Sequence, residues 1–211
     1  MKTTTKSLKQ MNTTRALTES ALMVALAVVL SLYAVLKLPN GGSVTIGSMI
    51  PIMLVSFKYP FGWSVAVAFV YSLIQMMSGF YAPPVGTLGY YALVVLLDYV
   101  VAYSVLCLAG PVYRAFRQSW PIRVRLMAAA VVCITLRFLC HYCSGIIIWG
   151  VYAPPEQPIW LYSLFYNGSY MLLEGLISGV IFYLAGPKLI KYFIGEKPIA
   201  FHEAVDSQEK A

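Results

Sequence analysis

Long apolar runs constrain the fold of this chain more than any other feature of its sequence. They lie at about 16–38, 46–57, 62–79, 90–109, 126–148 and 164–187. About 20 apolar residues are enough for a helix to cross the hydrocarbon core of a bilayer. With 60% hydrophobic and only 11% charged residues, the chain is too apolar for a water-soluble globule. The sequence therefore predicts an all-α integral membrane protein with six transmembrane helices.

The distribution of positive charge orients these helices, because cytoplasmic loops of membrane proteins are enriched in Lys and Arg. If the N-terminus is cytoplasmic, 13 of the 15 basic residues lie inside, Lys37 lies outside and Arg137 lies within a span. The inside group is Lys2, Lys6, Lys9, Arg15, Lys58, Arg114, Arg117, Arg123, Arg125, Lys188, Lys191, Lys197 and Lys210. The net charge of +7 therefore reflects membrane topology rather than a nucleic-acid partner, and both termini are expected in the cytoplasm.

This topology predicts three parts along the chain. Residues 1–15 form a cytoplasmic N-terminal segment, 16–187 a six-helix membrane domain and 188–211 a cytoplasmic C-terminal tail. The second span, 46–57, is the weakest, because about twelve residues interrupted by Pro51 are short for a full crossing. We expect it to be tilted, buried by its neighbours or partly re-entrant.

Apart from Glu19 and Lys37, near the two ends of the first span, four ionisable residues lie within predicted spans, where a charged side chain costs at least ~2.5–3.5 kcal/mol and needs a partner or a function. Helix rise places Arg137 and Glu174 at a similar depth, about 15 Å from the outer ends of their spans, which predicts a structural ion pair. Asp98 and His141 share a shallower level, at about 10–12 Å. At that level Asp98 has no cationic partner, unless His141 is protonated or the Arg137 side chain extends outward to it. It then either accepts a ligand cation or bonds to His141 and nearby Tyr hydroxyls.

Helical spacing gathers further residues onto two converging faces. The fifth span carries Arg137, His141, Ser144, Gly145 and Ile148, and the sixth carries Asn167, Tyr170, Met171, Glu174 and Ser178. Near their outer mouth lie Trp149, Tyr152, Trp160, Tyr162 and Tyr166. Such rings can sandwich a flat heterocycle or hold a cation over a π face, although an aromatic belt at the membrane interface also explains them.

The tetrapeptide Tyr-Ala-Pro-Pro occurs twice, at 81–84 and at 152–155, in two predicted outer loops. Double proline stiffens a loop and removes backbone donors. The two segments are therefore either semi-rigid lids over an external site or ordinary proline-containing loops with a Tyr at the membrane interface.

The cysteines and nucleophiles of the spans indicate neither a metal site nor an enzyme. Cys140 and Cys143 flank His141 in a C-x-x-C spacing, but no second ligand pair accompanies them, so apolar, buried thiols are expected. His141 with Ser144 or Cys143 is the one candidate for an intramembrane enzyme, and no hydrolase motif surrounds it. A channel needs a continuous polar path, and the inner half of the spans is too apolar for one.

Four stretches of the sequence resemble a known family. They are Gly41–Ile52, Leu97-Asp98-Tyr99 followed by Ala102, Arg137–His141 followed by Gly145 and Trp149, and Trp160–Tyr170. Together they resemble the thiamine-specific S-component, the substrate-binding subunit of energy-coupling factor transporters, over about residues 15–187. The last third is the most specific part.

The resemblance implies a multi-pass subunit of a prokaryotic plasma membrane that captures thiamine from outside and needs no cofactor. It has no ATPase of its own, and it works with a transmembrane T-component and two cytoplasmic ATPases. An S-component for a different vitamin or small heterocycle is the closest alternative, and an intramembrane enzyme is a more distant one.

The resemblance also implies seven substrate-binding positions. They are Asp98, Tyr99, His141, Gly145, Trp149, Tyr162 and Asn167. In the family, the position of Asp98 is acidic and usually Glu, Trp149 stacks on the vitamin, and Tyr162 and Asn167 form hydrogen bonds with it. The shorter Asp, and a tryptophan missing from the first outer loop at 39–43, imply a difference in affinity or closure.

Close approach of a partner helix needs small residues, and Ala21 and Ala25 provide a small-x-x-x-small face on the first span. In the resembled family this helix contacts the T-component. Packing within the subunit is the alternative explanation for the two alanines.

Overall fold

The computed structural model describes residues 12–194, which are mostly helical. Its elements are α1 (Thr13–Leu32), β1 (Ala34–Lys37), β2 (Ser43–Thr45), α2 (Ile50–Lys58), α3 (Phe61–Ser78), α4 (Leu88–Ala115), α5 (Ile122–Ile147) and α6 (Ile159–Ile194). Five of them, α1 and α3 to α6, are long and apolar enough to cross a membrane. Five of the six predicted spans therefore coincide with long helices.

The first predicted span, 16–38, is wrong at its outer end. The helix ends at Leu32, and the chain continues as an antiparallel hairpin in which Lys37 pairs with Ser43. The hairpin turns at Asn40 and Gly41, whose φ angles of 61° and 101° are left-handed. The apolar residues before Pro39 belong to β1, and a short apolar run does not reveal by its pattern whether it is strand or helix. The fold is thus mostly helical rather than all-α.

The short helix α2 lies at the centre of the bundle. It has nine residues, so it is only about 14 Å long, and Pro51 occupies its first turn, where no N–H is needed. Its residues from Ile50 to Phe57 are all buried. The Phe57 ring packs edge-on against Tyr113 and Phe182, at centroid distances of 5.6 and 5.8 Å. The weakest predicted span is therefore a helix buried by its neighbours.

Helix α4 packs against α2 at Gly110. A Cβ atom at this position would lie 1.9 Å from the backbone oxygen of Ser56. The Gly110 N–H also donates to Ser56 Oγ over 2.9 Å. Glycine is therefore required by the close approach of two backbones, and this contact fixes the inner half of α4 against the core.

An ion cluster joins α1, α2 and α6 at one end of the bundle. The Glu19 carboxylate accepts from Arg15 at 2.7 Å, from the Tyr59 hydroxyl at 2.6 Å and from Lys58. Lys58 Nζ also donates to the carbonyl of Phe193 over 2.6 Å. Burial and the Glu19 carboxylate raise the pKa of the Tyr59 hydroxyl, which keeps it a donor. The short helix α2 therefore ends beside the start of α1.

The last helix, α6, runs for 36 residues and contains Pro187. Proline has no N–H, so the carbonyl of Tyr183, four residues earlier, loses its helical partner. Arg123 Nη1 donates to that carbonyl over 3.0 Å and to Leu184 O over 3.3 Å. A side chain at the start of α5 thus replaces the missing helix bond, and α6 continues past the predicted end of the span at 187.

Candidate functional site

A cavity of about 330 Å³ opens between the hairpin and helices α3 to α6. Its size is that of a small-molecule site. All seven residues proposed from the sequence line it, namely Asp98, Tyr99, His141, Gly145, Trp149, Tyr162 and Asn167. The structure therefore brings together residues that lie up to 69 positions apart along the chain.

Asp98 lies in a π-helical segment of α4, Val95–Val101, where the wider turn interrupts the α-helical register. Its Oδ2 accepts from Ser144 Oγ at 2.8 Å and from Trp149 Nε1 at 3.0 Å. Its Oδ1 lies 3.2 Å from His141 Nδ1. Among residues 12–194, no Lys or Arg forms a salt bridge with this carboxylate.

Arg137 and His141 complete a chain of contacts that ends at Asp98. Arg137 Nε donates to His141 Nε2 over 3.4 Å, which leaves the ring proton on Nδ1, facing Asp98. A neutral imidazole satisfies both contacts. The Arg137 guanidinium also lies 3.9 Å from the centre of the Tyr103 ring. The carboxylate of Asp98 thus ends this chain of contacts at the wall of the cavity.

The expected ion pair between Arg137 and Glu174 is not formed. Arg137 Nη1 points instead to Met49 Sδ, 3.0 Å away. Glu174 accepts from the Thr45 N–H at 2.5 Å and from Thr45 Oγ1 at 2.8 Å. The sequence did not show that Thr45, at the end of the hairpin, would bond to Glu174 instead. Both residues line a smaller, polar cavity beside the first.

Trp149 and Tyr99, both proposed as ligand-binding residues, also make contacts within the protein itself. The Trp149 ring follows the end of α5 and stacks on Tyr152, with centroids 6.3 Å apart and planes at 17°. The Tyr99 hydroxyl donates to the carbonyl of Gly79 at 2.8 Å and accepts from the Tyr81 N–H at 3.1 Å. Tyr99 therefore holds the α3–α4 loop at the cavity, and its contact with a ligand stays a prediction.

Gly145 brings α5 close to α6. A Cβ atom there would lie 2.2 Å from Ser163 Oγ and 2.8 Å from Asn167 Nδ2. Asn167 bonds within its own helix, donating to Ser163 O at 3.1 Å and accepting from the Tyr170 hydroxyl at 2.8 Å. Its side chain is thereby held at the cavity wall. A ligand that bonds to Asn167 replaces or shares one of these contacts.

The hairpin turn forms the outer wall of the cavity. The Tyr166 hydroxyl donates to the carbonyl of Pro39 and accepts from the Gly42 N–H at 3.3 Å. The Tyr81 ring covers Gly41, where a Cβ would lie 2.9 Å from it. Of the two Tyr-Ala-Pro-Pro segments, the first places its Tyr81 on the cavity, whereas Tyr152 contacts the site only through Trp149.

Sequence reasoning missed several residues of the site. Ser144, which bonds to Asp98, was placed on the correct helix face but was not included in the site. Tyr103 and Gln75, which also line the cavity, were missed entirely. Gln75 lies in α3 and Tyr103 in α4. The four-residue interval between Tyr99 and Tyr103 was an available signal.

Two further predictions concern residues away from the cavity. Ala21 and Ala25 are both exposed on the outer surface of α1, next to Leu22 and Leu26, which are 62% and 45% exposed. The expectation of buried thiols is wrong for Cys143, which is exposed. Over residues 12–194, no three His, Cys, Asp or Glu side chains are grouped in a way that holds a metal ion.

Comparison with known proteins identifies the family. The family described as "Thiamine transporter protein" matches residues 17–194. The thiamine transporter ThiT of Bacillus subtilis strain 168 is 31% identical over 186 residues, which cover 83% of this chain and 93% of that protein. ThiT of Lacticaseibacillus paracasei is 28% identical over 92 residues, 41% of this chain and 46% of that protein.

A solved structure has the same fold. It is ThiT from Listeria monocytogenes, which aligns with a TM-score of 0.67 and covers 85% of this chain and 98% of that chain at 22% identity. The resemblance seen in the four sequence stretches is thereby confirmed. This chain belongs to the thiamine transporter protein family.

Proposed function

We propose that this protein captures thiamine from the outside, as the substrate-specific subunit of an ATP-driven energy-coupling factor transporter. The family match and the two ThiT relatives support the substrate. One structural observation carries the proposal. Asp98 presents a carboxylate to a cavity of about 330 Å³, bonded to Ser144, Trp149 and His141 but without a salt bridge to Lys or Arg in the described chain.

The charges around the cavity fit a monovalent cation. Asp98 lies at the cavity wall without a salt bridge to Lys or Arg in the described part of the chain, so its carboxylate is available to a ligand cation. Thiamine has a permanent thiazolium cation, which would pair with this carboxylate inside a low-dielectric site. A neutral vitamin would leave the carboxylate without a cation.

The remaining groups fit two flat rings. The indole of Trp149 and the stacked pair Tyr162 and Tyr166, whose centroids are 5.7 Å apart, offer aromatic faces at the cavity. Aromatic faces bind both flat heterocycles and cations. Asn167 supplies an amide for the donors and acceptors of the aminopyrimidine. We infer that Trp149 stacks on the vitamin and that Asp98 lies against its cationic ring.

We further propose six crossings of the plasma membrane, with both termini in the cytoplasm. The hairpin and α2 together make the second crossing, because Lys58 at the end of α2 bonds to Glu19 near the start of α1. Of the hairpin, β2 is mostly buried, and non-helical backbone is tolerated at membrane depth where protein surrounds it. Labelling of single cysteines at Asn40 and at the exposed Gly62, which should react from opposite sides of sealed vesicles, tests this topology.

The T-component and two ATPase subunits are the proposed partners. Ala21 and Ala25 give α1 an exposed strip of small residues on which another membrane helix can pack closely. The leucines beside them are exposed as well. The strip lies on the side of α1 that its own bundle leaves uncovered, which favours docking over internal packing.

A vitamin panel tests the proposed substrate. Purified protein is titrated with thiamine, riboflavin, biotin and folate while its tryptophan fluorescence is recorded. We expect saturable quenching by thiamine alone, because Trp149 lines the cavity. A response to another vitamin without a response to thiamine would reassign the substrate. Turnover of an added compound by the isolated subunit would instead support the enzyme alternative.

A further inference from the structure

A second, polar cavity of about 80 Å³ lies beside the main one. Arg137, Gln75 and Tyr103 line both cavities, so the two are neighbours within the bundle. Thr45, Ser48 and Glu174 line only the smaller one, which we call the inner chamber. None of the seven proposed ligand positions lies there.

Glu174 is the unusual residue of the inner chamber. The residue is only 3% exposed. Its Oε1 accepts both the backbone N–H and the hydroxyl of Thr45, at 2.5 and 2.8 Å. Its Oε2 is buried and receives no hydrogen bond from the described part of the chain. A buried carboxylate oxygen without a donor is costly, and the polar chamber beside it has room for one.

The Thr45 contact connects Glu174 to the outer wall of the main cavity. Thr45 ends strand β2 and pairs with Ala34 of β1. Two residues earlier, Ser43 lines both cavities, and Gly42 lines the main one. Any shift of Thr45 therefore moves the strand that forms the wall of the ligand cavity. The hydroxyl of Thr45 also bonds to Ser48, at 2.7 Å, which fixes the turn into α2.

We propose that Glu174 is a positioning residue for ligand capture, which holds the hairpin in place through Thr45 while water in the inner chamber joins its second oxygen to Arg137. The chamber has room for a few water molecules and polar groups on several sides to hold them. Water would bridge Arg137 and Glu174, which form no direct ion pair with each other. The kinetic part of this inference rests on the proposed function, whereas the hairpin part does not.

Hydrogen exchange tests the positioning role in the thiamine-free protein. Glu174→Leu removes both acceptors of the Thr45 bonds, so we expect amides of residues 34–48 to exchange about tenfold faster, the effect of losing one or two hydrogen bonds. Glu174→Gln keeps an oxygen acceptor for Thr45, and exchange should stay within about twofold of the wild type. Ser169→Ala, at an exposed position of the same helix, is the matched control.

Ligand kinetics provide a second readout. If the hairpin wall slows thiamine escape, Glu174→Leu should raise the dissociation rate about tenfold and change the association rate much less. Glu174→Gln should restore the slow rate. If Glu174→Leu does not fold, Thr45→Val takes its place, because it removes the hydroxyl and keeps the N–H. The dissociation rate should then rise by a smaller factor.

Two results would overturn the proposal. One is unchanged exchange of residues 34–48 in a folded Glu174→Leu or Thr45→Val protein. The other is equal loosening by Glu174→Gln and Glu174→Leu, which would assign the effect to charge rather than to the Thr45 bonds. Failure of the wild type to bind thiamine would refute only the proposed function, because the exchange experiment needs no ligand.

Discussion

Trp149 Nε1 donates to Asp98 Oδ2 over 3.0 Å, and this bond joins two parts of the chain that are 51 positions apart. Asp98 comes from the π-helical segment of α4, and Trp149 follows the end of α5. The aromatic face and the carboxylate are therefore set in one rigid arrangement. Because the indole is bonded to Asp98, a ligand that stacks on the indole also lies close to the Asp98 carboxylate.

Replacing Asp98 tests the role of its charge. Asp98→Asn keeps the size of the side chain and removes the negative charge, so thiamine affinity should fall about 10- to 100-fold, as expected for a hydrogen-bonded charge worth ~1.5–3 kcal/mol. Isothermal titration calorimetry measures the change. Glu156→Gln, in the exposed outer loop, is the control and should leave the affinity unchanged. Equal affinity of Asp98→Asn and the wild type would exclude Asp98 as the counter-charge.

Replacing Trp149 separates stacking from hydrogen bonding. Trp149→Phe keeps an aromatic face but loses the N–H that donates to Asp98, whereas Trp149→Ala loses both. We expect a modest loss of thiamine affinity for Phe and a further loss for Ala of about 1 kcal/mol or more, the value of an aromatic pair. Because Trp149 is itself a fluorescent reporter, calorimetry is the proper measurement. Equal affinities of the two variants would show that the ring does not stack on the ligand.

Gly145 is predicted to be required for packing rather than for ligand contact alone. In Gly145→Ala the new methyl group would lie 2.2 Å from Ser163 Oγ and 2.8 Å from Asn167 Nδ2, so these side chains or the two helices must shift. Overpacking of this kind costs about 1–3 kcal/mol, and the thermal midpoint of the protein in detergent should fall. Gly62→Ala, which meets nothing within 4 Å, is the control. Adding Ser163→Gly to Gly145→Ala should recover part of the loss, and no recovery would contradict the packing explanation.

Arg123 and Pro187 should be energetically coupled. Arg123→Gln weakens donation to the carbonyl of Tyr183, which Pro187 leaves without a helical partner, and should destabilise by about 0.5–1.5 kcal/mol. In a Pro187→Ala background, where the helix restores its own bond, the same change should cost less. A double-mutant cycle of thermal midpoints measures the difference. Additive effects would show that Arg123 does not compensate for the proline.

The exposed strip on α1 should matter for transport but not for capture. Ala21→Trp and Ala25→Trp place bulky rings where we propose that the T-component docks, and they touch no residue of the cavity. Thiamine binding to the purified subunit should be unchanged, while uptake into cells that express all the subunits should be lost. Leu17→Trp, one turn earlier on the exposed surface, tests how far the interface extends. Normal uptake by both alanine variants would place the docking surface elsewhere.

Much of the site could be predicted because its residues follow simple rules. Asp98 and His141 lie inside apolar runs, where an ionisable group is conspicuous, and helix rise alone places them at one level. The structure joins them at 3.2 Å. The small-residue strip on α1 is exposed, whereas its spacing alone left docking to a partner and packing within the subunit open.

The parts that could not be predicted involve non-helical backbone. The residues before Pro39 are as apolar as the helix that precedes them, so the hairpin and the end of α1 at Leu32 were missed. The hairpin in turn determines the partners of Glu174, because its carboxylate bonds to Thr45 of β2 and not to Arg137. The π-helical segment that holds Asp98, Val95–Val101, contains neither proline nor glycine to mark it in the sequence. Contacts that depend on long-range placement were therefore the ones predicted wrongly.

A thiamine-bound structure of this protein is the most direct test of the account. The charged ring of the vitamin should lie within about 4–6 Å of the Asp98 carboxylate, the range in which opposite charges act strongly on each other. One of its two rings should lie flat against Trp149. Thiamine bound outside the main cavity, or bound there with its cationic ring turned away from Asp98, would contradict the account.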